Sequence, residues 1–410
     1  MEGDRFVVAA QISTSHSAPG TLTVDAVQKK LDEALSFLGL HILITGWTEA
    51  PDLFQTVISN AHRSKREAFF WYPLLSELSN GEPHELMVNF RGTPSHGWRG
   101  FSEKGEIQET FQFFCPNNPS VRNKTLRLLE SVLTRYDFDG AFVDKVRFPS
   151  PANGIEEMLS CFCAWCRAKA ARQGLDLDEV KSTIERHITQ YNWPADTQRP
   201  SSPWWTELTS RSPILERFAR FRADSITGLV ADARKLTDRL GKSLGLDLFS
   251  PVLAFAVGQD YRSLAQYAEW IKPMVYRFAI GPAGLRYELP RLGRDVAELL
   301  SLDMDKVVGF ARARVPGWGD IDLNQIEREG IPLLLAEAEL RQTVLSAGST
   351  PIYLGLETVL MPDVIEITPV RVRNMLNAGL AAGVRGAVLS WDLMHTPVEN
   401  LRAIAQTIKR

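Results

Sequence analysis

Eight short apolar runs recur along the chain, and helical patterns separate them: Arg5–Gln11, His41–Gly46, Ala68–Tyr72, Gly140–Val143, Leu244–Phe249, Ile271–Tyr276, Pro351–Leu356 and Gly386–Trp391. Apolar runs of this length, bounded by Gly, Pro and Asp, read as buried strands. Eight of them alternating with helices in 410 residues predict an α/β fold, a closed (β/α)8 TIM barrel. An open doubly wound sheet is the alternative, and no strand is followed by the Gly-x-Gly-x-x-Gly turn that would favour it. The chain reads as a single catalytic barrel over 1–410, with long insertions after strands 3, 4 and 6 at about 75–117, 150–211 and 277–350. These excursions leave from strand C-termini, where barrels carry their insertions. Helices are expected at Val24–Phe37, Asp52–Ser64, Asn118–Arg135, Tyr261–Glu269, Pro332–Ala347, Thr368–Ala382 and Val398–Lys409. A longer one opens at Ser212-Pro213 and closes at Gly241, after a Pro/Ser-rich loop, Pro194–Pro203, that leads into Trp204-Trp205.

A formal charge of -3 argues against non-specific nucleic-acid binding, which needs a basic face. No apolar run approaches the roughly 18 residues of a membrane span. Met1–Gln11 carries Glu2, Asp4 and Arg5 and does not read as a secretory signal. Four cysteines in so long a chain do not make a secreted disulfide scaffold. The expectation is a cytoplasmic protein with no nucleic-acid or membrane partner and no organic cofactor; homo-oligomerisation is left open.

The central stretch is Gly140–Asp144, a buried strand ending on a carboxylate, followed by Lys145, Arg147 and Phe148-Pro149. Barrel enzymes place their chemistry at such strand ends. The other strand ends offer Trp47 and Glu49, Trp71 and Tyr72, Asp247, Tyr276 and Arg277, Glu357, and Trp391 and Asp392. Carboxylates hold sugar hydroxyls and indoles hold sugar C–H faces, so this rim suits a carbohydrate substrate. It also suits glycoside hydrolysis, which needs two carboxyl groups flanking one bond. Structural roles compete at each position. Asp144 can pair with its neighbouring cations, Asp247 with an adjacent strand, Asp392 can cap a loop, and the tryptophans can be core.

Cys161, Cys163 and Cys166 form a C-x-C-x-x-C cluster, and Cys115 precedes the helix leading into the fourth strand. Three thiolates are one short of a closed tetrahedral zinc site, and Cys115 would complete it. Buried free thiols are the alternative. A structural zinc with no open position for substrate is expected.

This lone cysteine followed by C-x-C-x-x-C just past the fourth strand resembles the zinc cluster of family 42 glycoside hydrolases, the β-galactosidases. The D-G-x-F-x-D run ending in Phe-Pro also resembles glycosyl hydrolase-like and α-L-fucosidase-like barrels. The resemblance implies a glycosidase-like (β/α)8 barrel with zinc on Cys115, Cys161, Cys163 and Cys166. The family 42 pattern implies a nucleophile after the seventh strand, where Glu357 stands, but its Asn-Glu pair after the fourth strand is Val143-Asp144 here. The fucosidase-like pattern implies Asp144 as nucleophile. Nearby Lys145 and Arg147 favour a charged Asp144, so Asp144 is the expected nucleophile, Glu357 the expected acid and Asp247 the reserve. A non-catalytic carbohydrate-binding barrel and a lyase or aldolase using Lys145 as a Schiff base are the rival readings.

Overall fold

The computed structural model describes residues 5–14, 22–78, 80–98, 111–190, 212–299, 301, 322–361 and 365–409. Its eight long strands are β1 Val7–Ser13, β2 Ile42–Gly46, β3 Glu67–Pro73, β4 Gly140–Asp144, β5 Ser243–Phe249, β6 Trp270–Met274, β7 Tyr353–Glu357 and β8 Gly386–Ser390. All pair in parallel, in the order β6-β5-β4-β3-β2-β1-β8-β7. A parallel bridge between Ile271 and Ile352 joins the two ends, with the Ile271 N–H donating to Pro351 O at 3.0 Å. The sheet is therefore a nearly closed barrel surrounded by helices, as the eight apolar runs predict.

Because strand side chains alternate, each strand splits its residues between two cores. Val8, Ala10, Leu43, Phe70, Tyr72, Ala141, Val143, Leu246 and Leu389 point outward and pack against the helices. Ala9, Ile44, Phe69, Trp71, Phe142, Trp270 and Val388 fill the barrel. Trp270 stacks on Phe142 with centroids 5.0 Å apart and on Tyr353 at 5.1 Å. Glycines make room for these rings: a Cβ on Gly245 would lie 2.5 Å from Trp270, and one on Gly140 2.5 Å from Phe69. The register sets Phe142, Gly245 and Trp270 side by side, and Asp247 and Lys272 one layer higher. The barrel floor is thus aromatic and its upper layer is charged.

The insertions follow the expected strands, with more regular structure than their composition shows. The one after β3 is tied together by bridges between Ser76 and Phe113 and between Leu86 and Phe114. Helices Ala164–Arg172, Leu177–Gln190 and Pro213–Arg239 follow β4, the last with Pro213 in its first turn but no side-chain cap from Ser212. Leu285–Leu299, Leu323–Glu329 and Leu333–Ala347 follow β6. Leu285–Leu299 escapes sequence reading because Pro290 and Gly293, both poor helix formers, lie within it. The helix expected over Tyr261–Glu269 is two short turns, Tyr261–Leu264 and Ala265–Tyr267, ended by the extended Ala268. A two-residue hairpin, Leu360–Met361 with Ile365–Glu366, was not anticipated. The Pro194–Pro203 loop and Trp204-Trp205 lie outside the described residues. Among those described, no helix is long and apolar enough to cross a membrane.

The glycine clearance yields a direct test. Gly245→Val should destabilise the fold by about 1–3 kcal/mol or more, because its side chain meets the Trp270 ring. Gly228→Ala, in helix Pro213–Arg239, where the added carbon meets no described atom within 4 Å beyond its own helix backbone, should be neutral or stabilise by up to ~1 kcal/mol. Urea midpoints of the two variants against the parent protein check both.

Candidate functional site

The C-terminal ends of the strands open into a narrow cleft of about 120 Å³. Three neighbouring strands supply its charged floor. β4 ends on Asp144, β5 presents Asp247, and β6 presents Lys272. Asp144 is buried and accepts the Trp71 indole N–H at 3.2 Å and the Lys145 backbone N–H at 2.5 Å. Asp247 and Lys272 are each 1% exposed and form an ion pair at 2.7 Å. Lys272 Nζ also donates to Gln11 Oε1 at 3.0 Å. Burial pushes Asp247 up to about 8, with Lys272 opposing the shift and Asp144 adding to it. Against burial, which lowers it, Asp247 and Tyr276 hold Lys272 above its ordinary value. Burial disfavours the charged form of a carboxyl, and here it outweighs the neighbouring ammonium. Oδ2 of Asp247 faces Lys272, while Oδ1 has no hydrogen-bond partner among the described residues.

Aromatic side chains wall the cleft. Trp47 and Trp71 meet edge to face at 4.8 Å, and Tyr276 and Trp391 do so at 6.0 Å. Trp98, Phe111 and Phe249 also line it. Backbone φ at Lys145 is 48°, in the left-handed region. Its ammonium pairs with Glu77 at 3.1 Å and lies over the Phe111 ring at 3.6 Å and the Trp47 ring at 4.6 Å. Arg147 is buried between the rings of Phe113 and Phe249, at 4.5 and 4.4 Å. Burial lowers its pKa to about 10, opposed by Glu288 and Asp144.

Of the residues expected at the site, Asp144, Asp247, Trp47, Trp71, Lys145, Arg147, Tyr276, Trp391 and Asp392 line this one cleft. Asp392 also caps the turn Leu393–His395, accepting the Met394 N–H at 3.0 Å. Four expectations are corrected. Glu357 turns away to the loop after β6, where its two oxygens accept the backbone N–H groups of Arg277, Phe278 and Ala279 at 2.8 to 3.0 Å. Burial raises it to about 7 against those three bonds, and it is not among the residues lining the cleft. Tyr72 has the outward parity and bonds Thr125 Oγ1 at 2.9 Å in the helix layer. Glu49 leaves the rim to bind Arg135 at 2.6 Å and Tyr136 at 2.8 Å. The Arg277 side chain donates to Ile331 O at 2.9 Å, outside the cleft lining.

Sequence reasoning missed Lys272, Trp98, Phe111 and Glu77, and noted Gln11 only as a strand end. Lys272 carried a usable signal. It is a cation inside a buried strand and needs a partner, and the β5–β6 register sets it opposite Asp247.

The four cysteines meet beside the insertion after β4. Their sulfurs all lie within 4.8 Å of one another, with Cys115 3.4 Å from Cys163 and 3.5 Å from Cys166. A tetrahedral tetrathiolate zinc has sulfurs about 3.8 Å apart, so the donor set and spacing fit such an ion. N–H groups already point at the sulfurs, from Val88 to Cys161 at 3.4 Å and from Asn117 to Cys115 at 3.4 Å and Cys166 at 3.3 Å. Buried Arg222 feels the charge of Cys161 and Cys166, and Lys169 that of Cys166 and Cys115. Two cations thus face a cluster that would be anionic with a divalent metal bound.

Fold and cleft together define a (β/α)8 barrel with a carboxylate-and-aromatic site at its C-terminal mouth. No protein-family model matches the chain. Over 138 residues it is 24% identical to an S-layer-related protein of Niallia circulans, a match spanning 34% of this chain and 7% of that protein's length. Among solved structures it is similar to the PgaB (BpsB) glycoside hydrolase domain from Bordetella bronchiseptica, with TM-score 0.58, 10% identity and 97% and 98% of the two chains covered. It is also similar to the catalytic domain of a β-amylase from Paenibacillus polymyxa, with TM-score 0.54, 11% identity and 98% of each chain covered. At these identities the likeness is one of fold.

The raised pKa of Asp247 has a stability consequence. A carboxyl that titrates near 8 when folded and near 3.9 when unfolded binds more protons in the native state between those values. Stability contributed by this group is therefore lost as pH rises from about 4 to about 8. Asp247→Asn, which cannot ionise, should flatten the fall of the urea midpoint across that window relative to the parent. An unchanged slope would place the proton elsewhere.

Proposed function

We propose that the chain is a glycoside hydrolase in which Asp144 is the charged carboxylate and Asp247 the proton donor. One observation carries the reading: two inward carboxyls stand at or near the ends of adjacent strands in an aromatic cleft, and burial pushes Asp247 up to about 8. A carboxyl whose environment raises its pKa, standing beside a second carboxyl, is the proton donor of the two-carboxyl arrangement of glycosidases. Asp247 offers the leaving oxygen its unpartnered Oδ1, while Lys272 holds Oδ2. Asp144, supported by Trp71 and the Lys145 N–H, attacks or stabilises the oxocarbenium-like carbon. Trp47, Trp71 and Trp391 offer apolar faces to the ring. Arg147 offsets the negative charge near Asp144. Glu357 has no part in the chemistry. A Schiff base on Lys145 is disfavoured because its ammonium is committed to Glu77 and two ring faces. The PgaB domain and β-amylase likeness supports a carbohydrate-active barrel through fold.

Asp144→Asn should abolish turnover of every aryl glycoside that the parent hydrolyses, without loss of folding. Asp247→Asn should slow substrates with poor leaving groups by roughly 10²–10⁴-fold and spare 2,4-dinitrophenyl glycosides, which need no proton. In the parent, kcat/KM should fall above about pH 8, where Asp247 loses its proton, and this limb should vanish for dinitrophenyl substrates. Glycoside binding without hydrolysis would instead establish a binding barrel.

The cysteine cluster we assign to one structural zinc on Cys115, Cys161, Cys163 and Cys166. A closed four-thiolate site has no position for substrate and acts on folding. Elemental analysis should give near one zinc per chain, and Cys163→Ser should reduce both the zinc content and the melting temperature. Full zinc content after Cys115, Cys161 and Cys163 are all replaced would refute the assignment.

A further inference from the structure

We propose that Gln11 is a substrate-recognising residue, whose amide N–H donates to one oxygen of the bound sugar beside Asp247. The proposal rests on the carbohydrate reading and adds a contact that the two-carboxylate mechanism does not require. Gln11 is fully buried on β1 and lines the cleft, while Ala10 and Ile12 on either side pack outward. Its amide orientation is fixed by Lys272, whose Nζ donates to Oε1 at 3.0 Å; Ser390 Oγ lies 3.0 Å from the same oxygen and 3.0 Å from Val388 O, and its single proton serves one of them. An ammonium has no acceptor capacity, so the atom it faces must be the oxygen. Nε2 then takes the other position, and among the described residues it has no acceptor. A buried N–H left in that state is costly, and the cost is recovered when a ligand oxygen arrives.

The same ammonium links this group to the proton donor. Lys272 holds Gln11 by Oε1 and Asp247 by Oδ2, which leaves Nε2 and Oδ1 as the uncommitted atoms of the two side chains. With its proton on Oδ1, Asp247 is a donor too. The patch therefore matches lone pairs, from a hydroxyl next to the glycosidic oxygen, and is mismatched to an ammonium substituent at that position.

Binding to Asp144→Asn protein, measured by ligand-observed NMR titration, tests the contact without turnover. The probes are methyl α- and β-glucosides and galactosides with their 2-, 3-, 4- and 6-deoxy analogues. One deoxy position should weaken binding about tenfold. Adding Gln11→Ala should weaken the complete glycoside to a similar degree and erase the penalty at that position, as a double-mutant cycle reads it. Gln11→Glu keeps an acceptor for Lys272 and Ser390 but loses the donor, so it should show the same loss and guards against a folding defect in the alanine variant. Deoxy penalties unchanged in both variants would overturn the proposal. Binding coupled to Gln11 in a protein whose parent hydrolyses nothing would sustain it and refute the hydrolase reading. Hydrolysis without coupling would do the reverse, and no binding of any probe would overturn both.

Discussion

The charged floor of the barrel depends on one buried ammonium. Lys272 lies between Asp247 at 2.7 Å and Gln11 at 3.0 Å, on a layer of stacked aromatic rings. Without it, two carboxyls on adjacent strands would share a dry site, and removing one partner of a buried pair costs roughly 3–5 kcal/mol. With it, one carboxyl is held beside a cation, and an amide is locked in a single orientation. The aromatic floor matters for the same reason. Trp270, Phe142 and Tyr353 close the barrel below, so the charges can be solvated only from the mouth.

The mouth is shaped by further buried carboxylates, which serve backbone. Glu357 binds three successive N–H groups of the loop after β6. Glu288 takes Ser150 Oγ at 2.8 Å and the Ala152 and Ala283 N–H groups at 2.7 and 2.8 Å, tying the loop after β4 to the one after β6. Glu157 accepts from Ser95 Oγ and the His96 N–H, both at 2.7 Å. Glu339 does the same for Ser250 and Val252 at 2.7 and 2.8 Å. A charge-assisted bond of this kind contributes about 1.5–3 kcal/mol, and irregular loops have N–H groups that no ladder satisfies. Long insertions at a barrel rim can hold their shape when such anchors replace secondary structure.

These anchors explain where sequence reading succeeded and where it failed. The strands were legible because burial on both faces demands continuous apolar runs, but both Trp71 and Tyr72 were expected at the rim, although strand alternation turns only Trp71 inward. Asp144 and Asp247 were legible as carboxylates at or near strand ends facing inward. Glu357 has the same signature and a different fate, since the three N–H groups that claim it belong to residues 277–279, some eighty positions away. Nothing local distinguishes a carboxylate that meets substrate from one that meets backbone. Lys272 was hidden by its strand; it became meaningful only once the register set it beside Asp247.

The cysteine cluster is the counterpart of these anchors on a larger scale. Cys115 belongs to the loop after β3, and Cys161, Cys163 and Cys166 to the segment after β4, so the four sulfurs join the two insertions that flank Asp144. Arg222 extends the junction. It donates to Met158 O at 2.7 Å and Ala256 O at 2.8 Å, and it stacks on Phe148 at 4.4 Å. Phe148 immediately follows Arg147, whose guanidinium is held between Phe113 and Phe249. A path therefore runs from the sulfurs, whose charge Arg222 feels, through Arg222 and Phe148 to Arg147, which feels the charge of Asp144. A metal at the sulfurs would act on the chemistry only by fixing that path. Its loss should reach the site as misplacement of Arg147, in proportion to the loosening of the two insertions.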